Sequence, residues 1–140
     1  MLNIVAIDHV VFRVRDVPAM LRFYEEVLGA KIERTLEEFG LYQIRAGNAL
    51  IDLVDVKGKL GRQGGAAPGE GGRNIDHVCL QVLPWQGEAI IAHLAEHGIT
   101  DARISNRYGA QGFGPSIYIA DPEGNTIELK GPPDDPQPPA

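Results

Sequence analysis

The chain has 140 residues, of which 44% are hydrophobic and 23% are charged, and this balance is typical of one soluble globular domain. Its formal net charge of −6 opposes non-specific binding to nucleic acids, which requires a basic face. No segment approaches the ~20 consecutive apolar residues of a membrane-spanning helix and the N-terminus has no signal-peptide pattern, so we expect a cytoplasmic protein without a membrane partner.

The first half of the chain is predicted to fold as a βαβββ module. Residues 4–14 alternate as a strand does, with His9 and Arg13 on one face and apolar side chains on the other. Asp16 stands where a helix N-cap belongs and Gly29 where a helix ends, and the helix between them is expected to cover the apolar face. Strands at residues 31–36, 41–46 and 48–56 complete module one, which spans residues 4–56.

A glycine-rich connector, a second βαβββ module and a tail complete a single predicted domain of residues 1–140. Residues 57–74 hold seven glycines and are expected to form a flexible connector. Module two spans residues 75–130, with a strand at 75–82, a helix at 84–97 and strands at 100–104, 116–120 and 125–130. Residues 105–114 are expected to form a mobile substrate loop. The tail of residues 131–140 holds five prolines and is predicted to be disordered.

An internal repeat supports this division. The string Ile-Asp-His-Val occurs at residues 7–10 and again at residues 75–78. The triplet Ile-Asp-Leu at residues 51–53 corresponds in the same way to Ile-Glu-Leu at residues 127–129. A repeat of this kind indicates a duplicated structural unit. Each copy therefore begins with a strand that carries a histidine and ends with a strand that carries a carboxylate.

Two histidines and two carboxylates in matching positions are a donor set for a divalent metal ion. One histidine among apolar residues is more often a core residue, and one inward carboxylate is more often part of a structural ion pair, but the recurrence of both in both modules favours a shared site. The predicted metal ligands are His9, Asp52, His77 and Glu128. Nitrogen and oxygen donors suit Ni, Co, Zn, Mn or Fe(II), whereas the lone Cys79 excludes a multi-cysteine zinc site within the chain.

Four segments resemble the vicinal oxygen chelate superfamily, which includes glyoxalase I, bleomycin-resistance proteins, fosfomycin-resistance enzymes and extradiol dioxygenases. They are residues 7–10, 22–29, 75–78 and 121–129, and the resemblance extends over residues 4–130. It implies an α+β fold in which two βαβββ modules form a half-open barrel around a metal cleft. It further implies a homodimer whose two sites are shared between the chains.

The resemblance also implies roles for individual residues. It makes His9, His77 and Glu128 metal ligands, and it places the fourth ligand position on Asp52, where glyoxalase I carries glutamate. The leading hypothesis is a glyoxalase I-like isomerisation of a glutathione hemithioacetal, a reaction of the lactoylglutathione lyase type, in which Glu128 shuttles the proton. Arg13 would hold a glutathione carboxylate. Further substrate contacts are expected from Arg107, Tyr108 and Tyr118.

Three alternatives stay open at this point. The first is a fosfomycin-type epoxide thiol transferase, which residues 108–118 resemble, although Val11 replaces a substrate-binding threonine and no arginine follows Glu128. The second is an extradiol dioxygenase, because the ligand set without Asp52 is the two-histidine, one-carboxylate pattern of Fe(II) enzymes. The third is a ligand-sequestering protein of the bleomycin-resistance type, which would bind no stoichiometric metal.

Overall fold

The computed structural model describes residues 1–134. The described residues divide into two compact units, residues 1–74 and residues 75–134, and each contains one four-stranded sheet. In both sheets the first strand of the unit pairs in parallel with the last, and the remaining pairs are antiparallel. The predicted α+β class with two βαβββ modules is confirmed. No helix in the described part of the chain combines the length and the apolar character needed to cross a membrane.

The first unit follows the predicted order of elements. Its helix begins after Asp16, whose side chain accepts a hydrogen bond from the Ala19 N–H, and Gly29 adopts the left-handed φ of 71° that ends it. The elements are β1 (His9–Val14), α1 (Val17–Arg22) with a π-helical continuation (Phe23–Val27), β2 (Lys31–Leu36), β3 (Leu41–Ala46) and β4 (Ala49–Asp55). The first strand is shorter than predicted, since it begins only at His9.

Strand β1 separates a buried face from an accessible one. Phe12 and Val14 are completely buried, as are Met20 of α1 and Tyr24 of its continuation. His9 is exposed and occupies the opposite face. The apolar alternation in the sequence therefore buries one side of the strand and leaves the histidine accessible.

The glycine-rich connector is packed, in contrast to the flexible segment that its composition predicts. A Cβ added at Gly61 would lie 2.7 Å from the Cα of Val56, so only glycine fits there. The Asn74 side chain accepts a hydrogen bond from the Arg13 N–H at 2.9 Å and donates one to the Arg13 carbonyl at 3.1 Å. The connector thus satisfies backbone groups on the open edge of β1.

The second unit differs from the prediction in one hairpin. Its elements are β5 (His77–Gln81), α2 (Gly87–Glu96), β6 (Ile104–Gly109), β7 (Gly112–Ala120) and β8 (Thr126–Lys130). The predicted strand at 100–104 and mobile loop at 105–114 are both wrong, because β6 starts at Ile104 and pairs with β7 through the former loop. Gly114 permits close packing there, since a Cβ would lie 2.7 Å from the Pro132 carbonyl oxygen.

The start of the proline-rich tail continues the line of β8 alongside β7. Gly131 donates its N–H to the Pro115 carbonyl, and Asp134 donates to the Phe113 carbonyl, both at 2.9 Å. Residues 131–134 are therefore hydrogen-bonded to β7. The remainder of the segment predicted to be disordered, residues 135–140, lies outside the described residues.

Candidate metal centre

The first unit brings His9 and Asp52 to one face of its sheet. Strands β1 and β4 are parallel neighbours in which His9 pairs with Leu50 and Val11 pairs with Asp52. Because side chains alternate along each strand, the imidazole and the carboxylate share a face. Their charges also interact, and Asp52 contributes to a raised pKa of His9 after the larger effect of the Asp8 hydrogen bond.

Asp52 is a buried carboxylate that lacks a full set of partners. Asp52 is only 4% exposed. Oδ2 accepts a hydrogen bond from Nε2 of Gln43 at 3.2 Å, whereas Oδ1 has no hydrogen-bond partner within residues 1–134. A buried acceptor without a partner costs about 1–3 kcal/mol. Because this oxygen lies on the face of the sheet that carries His9, a cation bound there would satisfy it.

The second unit brings His77 and Glu128 into direct contact. Nε2 of His77 lies 3.3 Å from Oε1 of Glu128, which is 4% exposed. The other carboxylate oxygen, Oε2, accepts a hydrogen bond of 2.7 Å from the Ser116 hydroxyl. Tyr118 pairs with Glu128 across β7 and β8 and also hydrogen-bonds to it. The carboxylate is therefore held by several donors before any ligand binds.

These contacts keep Glu128 ionised. Burial raises the pKa of its carboxyl group, but hydrogen bonds from Ser116, Tyr118 and Cys79 lower it, and the neighbouring His77 lowers it further. The net pKa lies below the ordinary value of a glutamate. The Cys79 thiol shows the opposite effect, because burial and the Glu128 charge raise its pKa to about 11. The thiol therefore serves as a neutral donor to the carboxylate at neutral pH.

Each histidine is oriented by the aspartate that precedes it. Nδ1 of His9 lies 2.7 Å from Oδ1 of Asp8, and Nδ1 of His77 lies 2.6 Å from Oδ2 of Asp76. A carboxylate on Nδ1 fixes the tautomer of a histidine and leaves Nε2 for a metal ion. Sequence reasoning missed this role of the two aspartates. The signal was present, because the repeated Ile-Asp-His-Val string contains both.

Replacement of either aspartate should weaken metal binding without unfolding the protein. We expect Asp8→Ala and Asp76→Ala each to lower the affinity for a divalent ion by about 10–100-fold, the usual effect of removing a partner of a metal-bound histidine. Their side chains are 92% and 97% exposed, so the folded state should be little affected. Chelator competition measures the affinity, and the exposed Glu25→Ala is the control of equal charge. Unchanged affinity in both variants would show that the aspartates do not support the site.

Arg13 lies on the face of His9, but its guanidinium already has partners. Nη1 donates to the carbonyl of Ala66 at 2.9 Å, and Nη2 donates to the carbonyls of Gly61 and Gly65 at 2.9 and 2.8 Å. The side chain therefore holds the connector in this structure. A role in substrate binding stays a prediction, and it would require exchange of these partners.

Module two supplies three residues that were predicted to contact substrate, and the structure places them on two different faces of the sheet. Arg107 and Tyr118 lie on one face, with the guanidinium carbon 5.9 Å from the centre of the Tyr118 ring. Tyr108 alternates to the opposite face of β6, where its ring contacts Phe113 at a centroid distance of 5.1 Å. Only Arg107 and Tyr118 are thus grouped near Glu128.

The predicted ligands form two pairs. His9 and Asp52 belong to the first unit, and His77 and Glu128 belong to the second. Within residues 1–134 no three His, Cys, Asp or Glu side chains lie close enough together to hold a metal ion. Each unit therefore supplies two of the four predicted ligands.

Two βαβββ units of the same strand order, each with a histidine on its first strand and a carboxylate on its last, define a duplicated α+β protein of the vicinal oxygen chelate type. The family model of the Glyoxalase/Bleomycin resistance protein/Dioxygenase superfamily matches residues 6–129, and the chain belongs to this superfamily. The resemblance stated from the sequence is confirmed.

Individual relatives define the fold more closely than the reaction. Virulence protein STM3117 of Salmonella typhimurium is 31% identical over 129 residues, covering 88% of this chain and 81% of its own. Its crystal structure has a TM-score of 0.74, with 94% and 99% of the two chains covered. Lactoylglutathione lyase from Agrobacterium tumefaciens (19% identity, TM-score 0.64, 92% and 95% coverage) and the fosfomycin resistance protein FosX from Listeria monocytogenes (18%, 0.66, 91% and 91%) share the fold.

Proposed function

We propose that this protein is a metal-dependent enzyme of the glyoxalase type. Its ligands in this proposal are His9, Asp52, His77 and Glu128, which meet at one divalent ion either within one chain or between two chains. The observation that carries the proposal is the matched pair in each unit. In both units a histidine and a buried carboxylate share one face of the sheet, and the preceding aspartate holds Nδ1 of the histidine. A structural ion pair in one unit would not require this arrangement in the other.

The chemistry of the donors fits a divalent transition metal. Two imidazole nitrogens and two carboxylates suit Ni, Co, Zn, Mn or Fe(II) and leave coordination positions for substrate. The buried, unpartnered Oδ1 of Asp52 is an acceptor that a cation would satisfy. A divalent ion bound by these residues would polarise the oxygens of a small substrate.

The proposed reaction is the isomerisation of a glutathione hemithioacetal to a thioester. Glu128 takes the proton from the substrate carbon that bears the hydroxyl and sulfur, and it returns the proton to the neighbouring carbonyl carbon, while the hydroxyl proton passes to the former carbonyl oxygen. Its lowered pKa supplies the ionised form that this step needs. The Ser116 hydroxyl, at 2.7 Å from Oε2, holds one carboxylate oxygen in place during the transfer. Arg13 is the proposed partner of a glutathione carboxylate.

Metal analysis followed by a turnover assay tests the proposal. We expect purified protein to contain close to one equivalent of a divalent metal per site, and to form thioester from methylglyoxal and glutathione with at least one of Ni, Co, Zn, Mn or Fe(II). Chelator-treated protein without added metal is the control. Protein that binds metal but forms no thioester with any of these ions would refute the isomerase reaction and lead to epoxide and catechol substrates. Protein that binds none of them would refute the metal-dependent class and favour a ligand-sequestering protein.

Of the two arrangements, we propose the one between two chains, a homodimer with shared sites. Four apolar residues ahead of β1 have exposed fractions between 80% and 92%: Leu2, Ile4, Val5 and Ile7. A second copy of the chain would remove this apolar surface from water. We therefore expect a mass in solution twice the 15.2 kDa of one chain, measured by light scattering after size-exclusion chromatography. A monomeric mass in metal-loaded protein would refute the shared site.

A further inference from the structure

The second unit contains a cavity of about 380 Å³ on the face of the sheet that carries Glu128. Its walls are Asp101, Arg103, Ser105, Arg107 and Tyr118. The first four residues stand at alternate positions, and the last two of these lie well inside β6, so their side chains share one face. Tyr118, on the neighbouring strand β7, completes the lining.

The cavity carries an excess of positive charge that the protein does not neutralise. It contains two arginines and one aspartate. In the described part of the chain, neither Arg103 nor Arg107 forms an ion pair with a carboxylate. The Arg107 guanidinium donates a hydrogen bond to the Asn106 carbonyl at 3.1 Å and also hydrogen-bonds to the Tyr118 side chain, and both partners are uncharged. Two guanidinium groups on one wall, neither of them ion-paired and with a single aspartate beside them, favour an oxyanion.

The cavity adjoins the half of the proposed metal centre that lies in this unit. Tyr118 forms its wall and also hydrogen-bonds to Glu128. The Tyr118 ring lies 5.8 Å from the ring of His77, measured between centroids. A small molecule anchored in the cavity by one end would therefore have its other end beside the His77–Glu128 pair.

We propose that this cavity binds the oxyanion of the substrate, a carboxylate, phosphonate or phosphate group, through Arg103 and Arg107. A planar guanidinium group can donate two hydrogen bonds to the two oxygens of such a group. A single ligand hydroxyl cannot accept such a pair. The Ser105 hydroxyl has one weak partner, the Ser116 carbonyl at 3.5 Å, and can turn to add a donor. Asp101 at the cavity wall disfavours a second negative group, so the bound end carries one oxyanion. The inference rests on the proposed function in treating the cavity as part of the same site.

Binding to metal-free protein tests this inference separately from the metal centre. The full chain, treated with chelator and dialysed, is titrated with methylphosphonate and, in a second arm, with acetate, by calorimetry at low ionic strength. We expect saturable binding of at least one of the two probes in the millimolar range. Arg103→Gln and Arg107→Gln should each weaken it about tenfold, and the double variant should weaken it more, since each removes a charge-assisted contact. Arg107→Lys, which keeps the charge and loses the fork, should bind between Arg107→Gln and the unchanged protein.

The matched control is Arg22→Gln, an exposed arginine of α1 in the other unit, which should bind both probes as the unchanged protein does. Both cavity arginines are exposed, and circular dichroism checks that every variant is folded. Absence of binding by the unchanged protein, equal binding by the double variant, or an equal loss in Arg22→Gln would each overturn the inference. Protein that binds methylphosphonate but no metal would refute the proposed function and leave the oxyanion site standing. Protein that binds metal but neither probe would refute the oxyanion site and leave the proposed function standing.

Discussion

Loss of His77 is expected to abolish stoichiometric metal binding and to lower kcat/KM of the metal-loaded enzyme by about three orders of magnitude. His77→Ala removes the imidazole whose Nε2 lies 3.3 Å from Glu128 and whose Nδ1 is held by Asp76. A bound divalent ion contributes several kcal/mol of charge stabilisation to a reaction, and about 1.4 kcal/mol corresponds to a factor of ten in rate. Elemental analysis and steady-state kinetics with the activating metal measure the two effects.

The two histidines must behave alike if both pairs serve one ion. We expect His9→Ala, in the other unit, to lose metal and activity to the same extent as His77→Ala. His93→Ala is the control, because His93 is an exposed histidine of α2 in the same unit as His77. It should keep full metal content. Full activity and full metal content in His77→Ala would remove the proposed site, and a loss confined to one of the two ligand variants would show that the units do not share an ion.

Much of the fold is predictable because side chains alternate between the two faces of a strand. This alternation determines which residues are buried, and it is visible in the sequence as alternating polar and apolar residues. The bounds of β2 and β3 match the predicted segments, and the helix of the first unit begins at the predicted cap, Asp16. In β1 the alternation buries Phe12 and Val14 and exposes His9. The repeated string at 7–10 and 75–78 then predicts a second unit of the same topology.

The elements that composition misassigns depend on strand pairing and close packing, which composition does not encode. β6 and the start of β7 are rich in polar residues and glycine, which are signals of a loop, yet pairing across the hairpin makes them strands. Gly114 accommodates the chain near Pro132, and Gly61 accommodates the backbone near Val56. A glycine that allows close packing cannot be distinguished in one sequence from a glycine that confers flexibility. The same ambiguity concealed the packed connector.

The candidate site was likewise predictable only in part. Pairing of each histidine with a carboxylate follows from strand order, because the first and last strands of each unit are parallel neighbours. The donors around Glu128 come from β7 and from β5, and the sequence gives no register between those strands. Arg103 was not predicted to contact a ligand, since its place in the cavity depends on the position of β6 rather than on any motif.

Asp52 should show opposite effects on stability and on metal affinity. Its buried carboxylate has one hydrogen bond, from Gln43, and one oxygen without a partner within residues 1–134. In metal-free protein this charge is poorly compensated, and so Asp52→Asn, which has nearly the same shape and no charge, is expected to raise the free energy of unfolding by about 1 kcal/mol. Urea unfolding in the presence of chelator measures the change.

The same substitution should weaken metal binding more than about tenfold, because a neutral amide oxygen replaces an anionic ligand in the proposed set of four. Asp55→Asn on the same strand is the matched control. The Asp55 carboxylate accepts the Lys57 N–H at 2.9 Å, so it has a local structural partner, and its loss should lower stability slightly and leave metal affinity unchanged. Destabilisation of metal-free protein by Asp52→Asn, with unchanged metal affinity, would assign Asp52 to the support of Gln43. The metal would then be held by His9, His77 and Glu128 alone, and Fe(II) chemistry would become the better explanation of the site.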